Sequence, residues 1–453
     1  MTRALMWFRR DLSIADNLAW AAATSDHREV LPAYVFDRTL LDAAGPFRRR
    51  QYLAFVTALA DQVRATGGEL TVMSGDPVGA ITRLAREHDI DAVLWNNDVT
   101  AYATARDSAV EQALTTAGVE VLREWSTLVH PPGTITTGSG HVHRVFGAFH
   151  RRWSEMPIPG TAVAGPAEVL AIAGEPWPTP DTPAPLASEA GAVRGRLDAW
   201  LDLVDAYDDE HDRPDHDATS HLSADLRFGA CSPREVVRRV GRQSAGRTAF
   251  VRQLAWRDWF AHLFHERPDL VDHAQQPVYD AIAWRDDPAD IAAWKEGRTG
   301  YPIVDAGMRE LAATGWMHNR VRMITASFLV KDLLVDWRIG ERHFRHLLVD
   351  GDVPQNAGNW QWIAGTGPDA APYFRVLNPL TQARRFDPDG DYVRRWVPEL
   401  TGLIDATVHA PWELGPLDLA AAGVVLGDTY PEPIVDHADA RERVLAAYAA
   451  ARD

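Results

Sequence analysis

Residues 300–362 read GYPIVDAGMRELAATGWMHNRVRMITASFLVKDLLVDWRIGERHFRHLLVDGDVPQNAGNWQW, and the rest of the chain is interpreted around them. Between residues 316 and 335, apolar side chains recur at about the spacing of an α-helix, which predicts a buried helix. Asn319, Arg322 and Met323 lie three or four residues apart, so they share a second face of this helix. An amide, a guanidinium and a thioether on one face suit a polar ligand that also has a flat, apolar part.

The length and composition indicate an ordinary globular protein. The chain has 453 residues, of which 46% are hydrophobic and 24% charged, which is enough for two or three domains with their own cores. The single Cys231 excludes an internal disulfide and a cysteine metal cluster, and we expect no metal. We see no signal peptide and no long uncharged apolar stretch, so we expect a cytoplasmic protein without a membrane span. We also expect a monomer.

The charge of the chain is unevenly distributed. A net charge of −17, taken alone, argues against a nucleic-acid partner. Residues 155–217 carry 14 acidic side chains against three arginines, whereas residues 226–257 carry eight arginines against one glutamate. The second segment either attracts phosphate or forms a solvated helix face, and its charge pattern favours neither interpretation.

The sequence pattern predicts a doubly wound parallel α/β domain over residues 1–130, a linker over 131–190 and an all-helical domain over 191–453. In the first domain, short apolar runs alternate with helical patterns, as in a parallel sheet. The predicted strands are 4–8, 30–36, 70–74, 92–95 and 119–122, and the predicted helices are 51–65, 77–87 and 103–116. This domain has no GxGxxG motif and no P-loop lysine, so it either holds a ligand by shape or is structural.

Several long motifs resemble the photolyase/cryptochrome family, and most of all its class I cyclobutane pyrimidine dimer photolyases. They are MWFRRDL near the start, residues 300–337, then DGD, NWQW and APYFRVLNP, and YPEPIVDH near the end. They follow the order of the family and cover nearly the whole chain. The resemblance implies an antenna-type α/β domain and a helical domain that binds FAD and damaged DNA. It also implies light-driven repair, in which photoexcited reduced FAD passes an electron to a flipped-out cyclobutane dimer.

The first group of candidate FAD ligands is the motif Thr219-Ser220-His221-Leu222-Ser223. It brings three hydroxyls into five residues, which suits either a diphosphate or a capped helix without a ligand. By resemblance, this motif and Tyr207 hold the diphosphate and ribose of FAD. The other FAD ligands implied by the resemblance are Arg257, Asn319, Arg322, Asp350, Gly351, Asp352 and Asn356.

Four of these residues have more specific implied roles. By resemblance, Arg322 and Asp350 form an ion pair over the flavin ring, Asp352 lies near the adenine, and Asn356 faces flavin N5. Plant cryptochromes tend to have Asp at the last position and insect cryptochromes Cys. Asn356 therefore favours repair over signalling.

The resemblance also implies a pocket for the DNA lesion. Trp256 and Trp362 are its two aromatic walls, and the other implied contacts are Gln253, Asn319, Arg320 and Met323. Dimer photolyases usually carry Glu at the position of Gln253, whereas Gln is familiar in the (6–4) branch. A neutral Gln can only donate or accept hydrogen bonds, which puts repair efficiency and lesion class in question. Against a (6–4) enzyme, WMHNRVRM lacks the histidine pair that this branch shows.

Electron supply and light harvesting are the remaining implied features. Trp284, Trp337 and Trp360 match the family's electron-transfer chain, although each of them can equally be core filling. Folate-binding members carry an Asn-Glu pair just before the ARD motif, where this chain has Tyr102 and Ala103. We therefore expect a deazaflavin antenna, or none, rather than folate.

Two alternatives from other functional classes stay open at this point. One is a cryptochrome photoreceptor, which binds flavin but signals to a protein. The other is a flavin- or nucleotide-binding enzyme unrelated to light, which a missing tryptophan chain would support.

Overall fold

The computed structural model describes residues 2–179, 182–370, 372 and 375–452. The chain divides into two compact units. Unit 1 comprises Met1–Asp208, Ser220–Pro268 and Val349–Pro354, and unit 2 comprises Asp209–Thr219, Asp269–Leu348 and Gln355–Asp453. The division at residues 130 and 190 that the sequence suggests remains a prediction.

Unit 1 contains a six-stranded sheet whose strands all pair in parallel. The strands are β1 (Arg3–Phe8), β2 (Glu29–Phe36), β3 (Thr71–Ser74), β4 (Ala92–Asn96), β5 (Glu120–Glu124) and β6 (Glu168–Val169). The order is β3-β2-β1-β4-β5, with β6 pairing to β2. Nearly every residue of β1, β2 and β4 is buried, because helices cover both faces of such a sheet. The predicted parallel α/β fold is confirmed, with all five predicted strands present.

Helices connect and cover these strands, and more helices follow them in unit 1. They are α1 (Leu18–Asp26), α2 (Arg38–Asp42), α3 (Pro46–Arg64), α4 (Pro77–Glu87), α5 (Ala101–Thr116), α6 (Phe146–Glu155), α7 (Ala190–Leu203), α9 (Ser223–Arg227), α10 (Pro233–Val240) and α11 (Ala245–Glu266). The core on one side of the sheet packs Trp7 against Trp95 with their rings at 71°. The three helices predicted between the strands correspond to α3, α4 and α5.

The segment predicted as a linker, residues 131–190, contributes both a helix and a strand. After α6, β6 pairs with the first two residues of β2. The last four residues of β2 pair with β3. The chain then runs along β3, where the amide of Glu175 donates to the carbonyl of Val72. A Cβ on Gly174 would come within 2.2 Å of the Val72 nitrogen, so only glycine permits this close approach.

Unit 2 is helical, as the sequence predicts. Its helices are α12 (Pro288–Lys295), α13 (Pro302–Thr314), α14 (Asn319–Ser327), α15 (Trp337–Leu347), α17 (Pro379–Phe386), α18 (Asp391–Trp396), α19 (Pro416–Ala421) and α20 (His437–Ala450). Helices α8 (Tyr207–Glu210) and α16 (Val353–Ala364) each contain residues of both units. The 3-10 turn Val204–Ala206 lies in unit 1, and Pro268–Val271 contains residues of both units. The 3-10 turns of unit 2 are Pro277–Ala281, Pro398–Leu400, Asp405–His409 and Pro411–Glu413. Among the described residues, no helix combines the length and the apolar character needed to span a lipid bilayer.

The helix predicted between residues 316 and 335 is present but changes its form. It runs as α14 and then as a π-helical turn over Phe328–Asp332. Two buried ionisable residues close this turn: Lys331 donates to the carbonyl of Ala364 at 2.7 Å, and Asp332 contacts His437 at 2.5 Å. Hydrophobic spacing cannot predict such a turn, because the polar partners that fix it lie far away along the chain.

Candidate functional site

A buried group of charged residues in unit 1 surrounds Asp352, one of the predicted FAD ligands. Asp352 forms an ion pair with Arg10, which follows β1, and lies 3.6 Å from Nε of Arg227. Arg227 also donates to the carbonyl of Gly351 at 3.1 Å, and Arg10 lies 3.3 Å from Asp98. Arg10 was not singled out from the sequence. Its position directly after an apolar strand, at the end where parallel strands bind ligands, is the signal that points to it.

The electrostatics of this group are dominated by arginines. Burial opposes the charged form of Asp352, but Arg10, Arg227 and Arg257 outweigh it and hold the pKa of this carboxyl below its usual value. Burial and repulsion from Arg10 lower the pKa of Arg227 to about 9, although Asp352 acts in the opposite direction. The positive charge of Arg227 is therefore incompletely balanced within unit 1, which favours an anionic group nearby.

The hydroxyl-rich motif lies partly in unit 1, where the half-buried residues Ser220 and His221 precede a short helix that begins at Ser223. His221 has a positive φ of 50°, and the Ser220 hydroxyl accepts a bond from the Leu222 amide at 3.3 Å. Ser223 is exposed and begins the five-residue helix α9. Tyr207 packs edge-on against Trp200 and Phe250. Thr219 belongs to unit 2 and is half-buried.

The basic segment 226–257 is largely paired with carboxylates inside unit 1. Five of its eight arginines make such pairs: Arg227 with Asp352, Arg234 and Arg238 with Asp16, Arg239 with Asp198, and Arg247 with Asp205. Arg257 donates to the carbonyls of Thr127 and Leu226. Arg242 and Arg252 lie over the aromatic rings of Trp153 and Phe146. Most of this positive charge therefore holds the fold together.

Helix α11 carries the two lesion residues predicted in unit 1. Gln253 is exposed and Trp256 is half-buried. The Trp256 ring stacks on Phe146, with ring centroids 3.7 Å apart and planes at 14°, and meets Trp259 edge-on at 5.1 Å. An indole that is packed on one side and partly exposed suits stacking on an incoming aromatic base.

Helix α14 in unit 2 carries three further predicted lesion residues. His318 caps the helix by accepting a bond from the amide of Arg320. The Asn319 amide points to the sulfur of Met323 at 3.9 Å, which confirms that these two side chains share a face. Arg320 pairs with Asp212 at 3.1 Å and lies over the Phe386 ring at 4.3 Å. Its guanidinium is therefore engaged within unit 2.

Asn356, the residue predicted to face flavin N5, lies on the unit 2 part of α16. Its Nδ2 donates to the backbone carbonyl of Glu341 at 2.9 Å and to the Glu341 carboxyl at 3.0 Å. Because a backbone carbonyl can only accept, the amide nitrogen must face Glu341. The Oδ1 atom of Asn356 is thereby turned toward the other side. Glu341 was missed in the sequence because nothing in the spacing relates it to Asn356.

The three predicted electron-transfer tryptophans all lie in unit 2. Trp337 and Trp360 are buried, and Trp284 is half-buried beside Tyr448 at 6.0 Å. The Trp360 ring contacts Phe344 at 5.0 Å and Trp294 at 6.2 Å. A Cβ on Gly340 would lie 2.2 Å from the Trp360 ring, so this glycine lets α15 approach the indole.

The residues that relate to the antenna prediction lie at the carboxyl ends of β1 and β2 and on α5. The Tyr102 hydroxyl donates to Asp37 at 2.5 Å, and Arg106 lies over the rings of Trp7 and Tyr102. Ala103 is buried. This is the edge at which doubly wound sheets bind ligands.

Several predicted relationships join residues of unit 1 to residues of unit 2 and remain predictions. They are the Arg322–Asp350 ion pair and the lesion walls Trp256 and Trp362. Within unit 2, Arg322 donates to the carbonyl of Met317 at 2.7 Å, and Trp362 is half-buried on α16. In the motif APYFRVLNP, Ala371, Tyr373 and Phe374 lie outside the described residues.

Known proteins match this chain over its whole length. A family profile described as DNA photolyase matches residues 4–167, and one described as the FAD binding domain of DNA photolyase matches residues 250–450. A deoxyribodipyrimidine photo-lyase of Agrobacterium fabrum is 41% identical and covers 99% of this chain and 98% of its own.

Solved structures also match nearly the whole chain. A bacterial class III photolyase from Agrobacterium tumefaciens has a TM-score of 0.92 at 38% identity, covering 100% of this chain and 98% of its own. An archaeal photolyase from Sulfolobus tokodaii, described with two FAD molecules and a novel light-harvesting cofactor, has a TM-score of 0.87 at 31% identity, covering 99% and 100%. The subclass of this chain stays a prediction, because one of these structures is described as class III. The chain belongs to the DNA photolyase family of enzymes and carries that family's FAD-binding domain.

Proposed function

We propose that this chain repairs cyclobutane pyrimidine dimers in DNA with light, using bound FAD. The photo-lyase name of a relative matched over 99% of the chain supports repair as the general activity. The structural observation that carries the proposal is the orientation of Asn356. Its amide nitrogen donates to Glu341, so its amide oxygen is the atom that can accept a further hydrogen bond.

The residues of the site fit FAD in charge and in hydrogen-bonding chemistry. The positive charge of Arg227, incompletely balanced beside Asp352, suits the negative charge of a diphosphate. Ser220 and Ser223 offer hydroxyls to the same group, as the resemblance implies. FAD, when bound in its reduced form, supplies the light-absorbing group and the electron donor. The role of the chain is to hold and tune the cofactor and to exclude other reactions.

Asn356 is proposed to accept a hydrogen bond from N5 of the reduced ring. Glu341 fixes the amide so that Oδ1, rather than Nδ2, is available for this bond. The Asp that plant cryptochromes tend to have and the Cys that insect cryptochromes tend to have offer no neutral amide oxygen at this position. This difference supports repair over signalling.

The lesion is proposed to stack on Trp256, with Gln253 one turn earlier on α11 donating to a pyrimidine carbonyl. Flipping is required because a base inside the helical stack cannot reach a buried cofactor. A cyclobutane dimer is weakly paired, so it is extruded at lower cost than a sound base pair. Trp362, Asn319, Arg320 and Met323 keep the lesion roles implied by the resemblance.

Two further proposals concern electrons and light. Trp360, Trp337 and Trp284 are proposed to relay electrons that reduce oxidised FAD, and the burial of the first two supports a path through the protein interior. The antenna is proposed to be a deazaflavin rather than folate, because Tyr102 is bonded to Asp37 where folate-binding members have the Asn-Glu pair. The archaeal relative with a light-harvesting cofactor supports a second chromophore of some kind.

The decisive experiment is a repair assay of the purified protein on DNA with one defined lesion. A cyclobutane dimer and a (6–4) photoproduct are each tested in light and in the dark, with FAD reduced chemically. We expect light-dependent repair of the cyclobutane dimer alone. Repair of the (6–4) lesion alone would make Gln253 the better guide to substrate. Absence of repair with both lesions would overturn the proposed function.

A further inference from the structure

Trp256 is held in unit 1 by a stack of aromatic rings. Phe146 lies against it with ring centroids 3.7 Å apart and planes at 14°, the closest ring contact that Trp256 makes. Phe146 is 1% exposed, whereas Trp256 is half-buried, so the accessible part of this stacked pair belongs to Trp256. A second ring, His150, lies 5.5 Å from Phe146 with planes at 26°.

The position of Phe146 is itself fixed from several directions. It is the first residue of α6, and Phe149 and Trp153 continue the buried face of that helix at helical spacing. Just before it, the carbonyl of His143 accepts a bond from Nε1 of Trp259 at 2.6 Å. The Trp259 ring meets Phe146 at 66°, and the Arg252 guanidinium lies over Phe146 at 5.5 Å.

A half-exposed tryptophan without such a support can rotate about two side-chain bonds and must lose that freedom when a base stacks on it. Contact with Phe146 removes this freedom in advance, because turning the indole would break the stacked contact. The edges of the Trp256 ring are also restrained, by Trp259 at 5.1 Å and Phe260 at 5.7 Å. The Trp256 ring is therefore preorganised, with one side packed on protein and the rest available.

We propose that Phe146 is a positioning residue for lesion binding: its buried ring orients Trp256 so that a flipped-out base finds a ready stacking surface. This inference rests on the proposed function of Trp256. Phe146 does not touch the lesion, so its effect is on the affinity and selectivity for damaged DNA. The electron-transfer chemistry of a lesion that is already bound is unaffected.

The test compares Phe146→Leu with Phe149→Leu in the full-length protein. Phe149 lies on the same helix and is fully buried, but its ring contacts His262 rather than Trp256. Dissociation constants are measured in the dark for a duplex with one cyclobutane dimer and for the same duplex undamaged. For Phe146→Leu we expect the preference for damaged DNA to fall about tenfold, the scale of one lost aromatic contact. Single-turnover repair at saturating enzyme should stay within about twofold.

The controls separate positioning from a general loss of structure. Phe149→Leu should keep the lesion preference even though it removes an equally buried ring. Phe146→Tyr, which retains the stacked ring, should restore the preference. If Phe146→Leu does not fold, Phe146→Met carries the test, because it refills the volume without a planar ring.

The outcomes also distinguish this inference from the proposed function. If the wild type fails to repair cyclobutane dimers, or if Trp256→Ala keeps the lesion preference, the proposed function of this surface falls and the role of Phe146 falls with it. If the wild type repairs, Trp256→Ala loses the preference and Phe146→Leu keeps it, the positioning role alone is overturned.

Discussion

Asn356 and Glu341 are joined by two hydrogen bonds, both donated by the Asn356 amide nitrogen, at 2.9 Å to the backbone oxygen and 3.0 Å to the carboxyl. Glu341 is 3% exposed, and burial raises the pKa of its carboxyl, although Arg345 and the bond from Asn356 act in the opposite direction. A neutral amide donor stabilises this buried carboxyl without adding a second negative charge.

Asn356→Asp should therefore destabilise the protein in a pH-dependent way. The new carboxylate would face the Glu341 carboxyl and a backbone carbonyl that can only accept a hydrogen bond. This arrangement raises the folded-state pKa values of the two carboxyls. Since the folded state then binds more protons than the unfolded state, stability falls as pH rises through that window. We expect a loss of roughly 3–5 kcal/mol at pH 8 and a smaller loss at pH 5, measured by urea unfolding. Asn359→Asp, exposed on the same helix, is the control, and equal losses in both variants would contradict the argument.

Asp352→Asn should lower the stability of unit 1 and weaken flavin binding. The variant leaves Arg10, Arg227 and Arg257 without the carboxylate that they share, and breaking a buried ion pair typically costs about 3–5 kcal/mol. We expect that loss in urea unfolding, together with a lower flavin content after purification. Removing the more exposed pair in Arg239→Ala should cost less than about 1 kcal/mol. Similar losses of stability in the two variants would show that the buried ion pairs of Asp352 stabilise unit 1 no more than an exposed pair does.

Asp258 should give the stability of unit 1 a measurable pH dependence. Its carboxyl accepts bonds from the amides of Val129 and His130 and from the indole of Trp153, yet burial outweighs these donors and raises its pKa to about 6. A raised folded-state pKa means that the stability from this group is present below its unfolded pKa of about 4 and is lost as pH rises toward 6.

The measurement compares the wild type with Asp258→Asn. The stability difference between them should shrink by on the order of 3 kcal/mol between pH 4 and 7, in denaturant unfolding at several pH values. The comparison cancels contributions from other carboxyls such as Asp387, whose pKa burial also raises to about 6. A difference that stays constant over this range would contradict the shifted pKa of Asp258.

The parallel sheet could be predicted from the sequence because its buried strands are continuous apolar runs between turn signals. All five predicted strands are present, and their ends differ from the prediction by at most two residues. Helix α1 (Leu18–Asp26) was not predicted, since its buried residues Ala19, Trp20, Ala23 and Thr24 follow no long helical period. The strand β6 was not predicted either, because two residues carry no pattern of their own.

In the candidate site, too, the residues that belong to local motifs could be predicted and the residues that contact them could not. Trp256, Asn356 and Asp352 were named because they belong to motifs, which are local in the sequence. Their partners Phe146, Glu341 and Arg10 were not named as such, because each of these contacts joins two different structural elements. Spacing reports which side chains share a face of one helix, as for Asn319 and Met323, but not which element packs against that face.

Trp360→Phe should stop the light-driven reduction of oxidised flavin. Phenylalanine fills most of the same buried space but is much harder to oxidise, so the relay is cut while packing is largely kept. Protein that has been reduced chemically should still repair cyclobutane dimers. Trp294→Phe is the matched control, because Trp294 is also buried, 6.2 Å from Trp360, but lies outside the proposed relay. Undiminished photoreduction in Trp360→Phe would show that electrons take another path.

Gln253→Glu tests the lesion directly. Gln253 is exposed on α11, one turn before Trp256, so the change should not disturb packing. A Gln donates one hydrogen bond to a pyrimidine carbonyl, whereas a Glu that takes up a proton near the lesion can donate a stronger one. We therefore expect repair of cyclobutane dimers to be equal or up to about tenfold faster, a change of about 1.4 kcal/mol.

The control for this prediction is Gln253→Leu, which has a similar volume but makes no hydrogen bond. It should lower the rate of dimer repair and leave flavin content unchanged, because Gln253 is not a proposed cofactor ligand. Both variants are assayed on a cyclobutane dimer and on a (6–4) photoproduct at two salt concentrations. Since most arginines of segment 226–257 are paired within unit 1, the salt dependence of both variants should be modest. If Gln253→Glu abolished dimer repair, or if Gln253→Leu repaired dimers as well as the wild type, the proposed hydrogen bond to the lesion would be wrong.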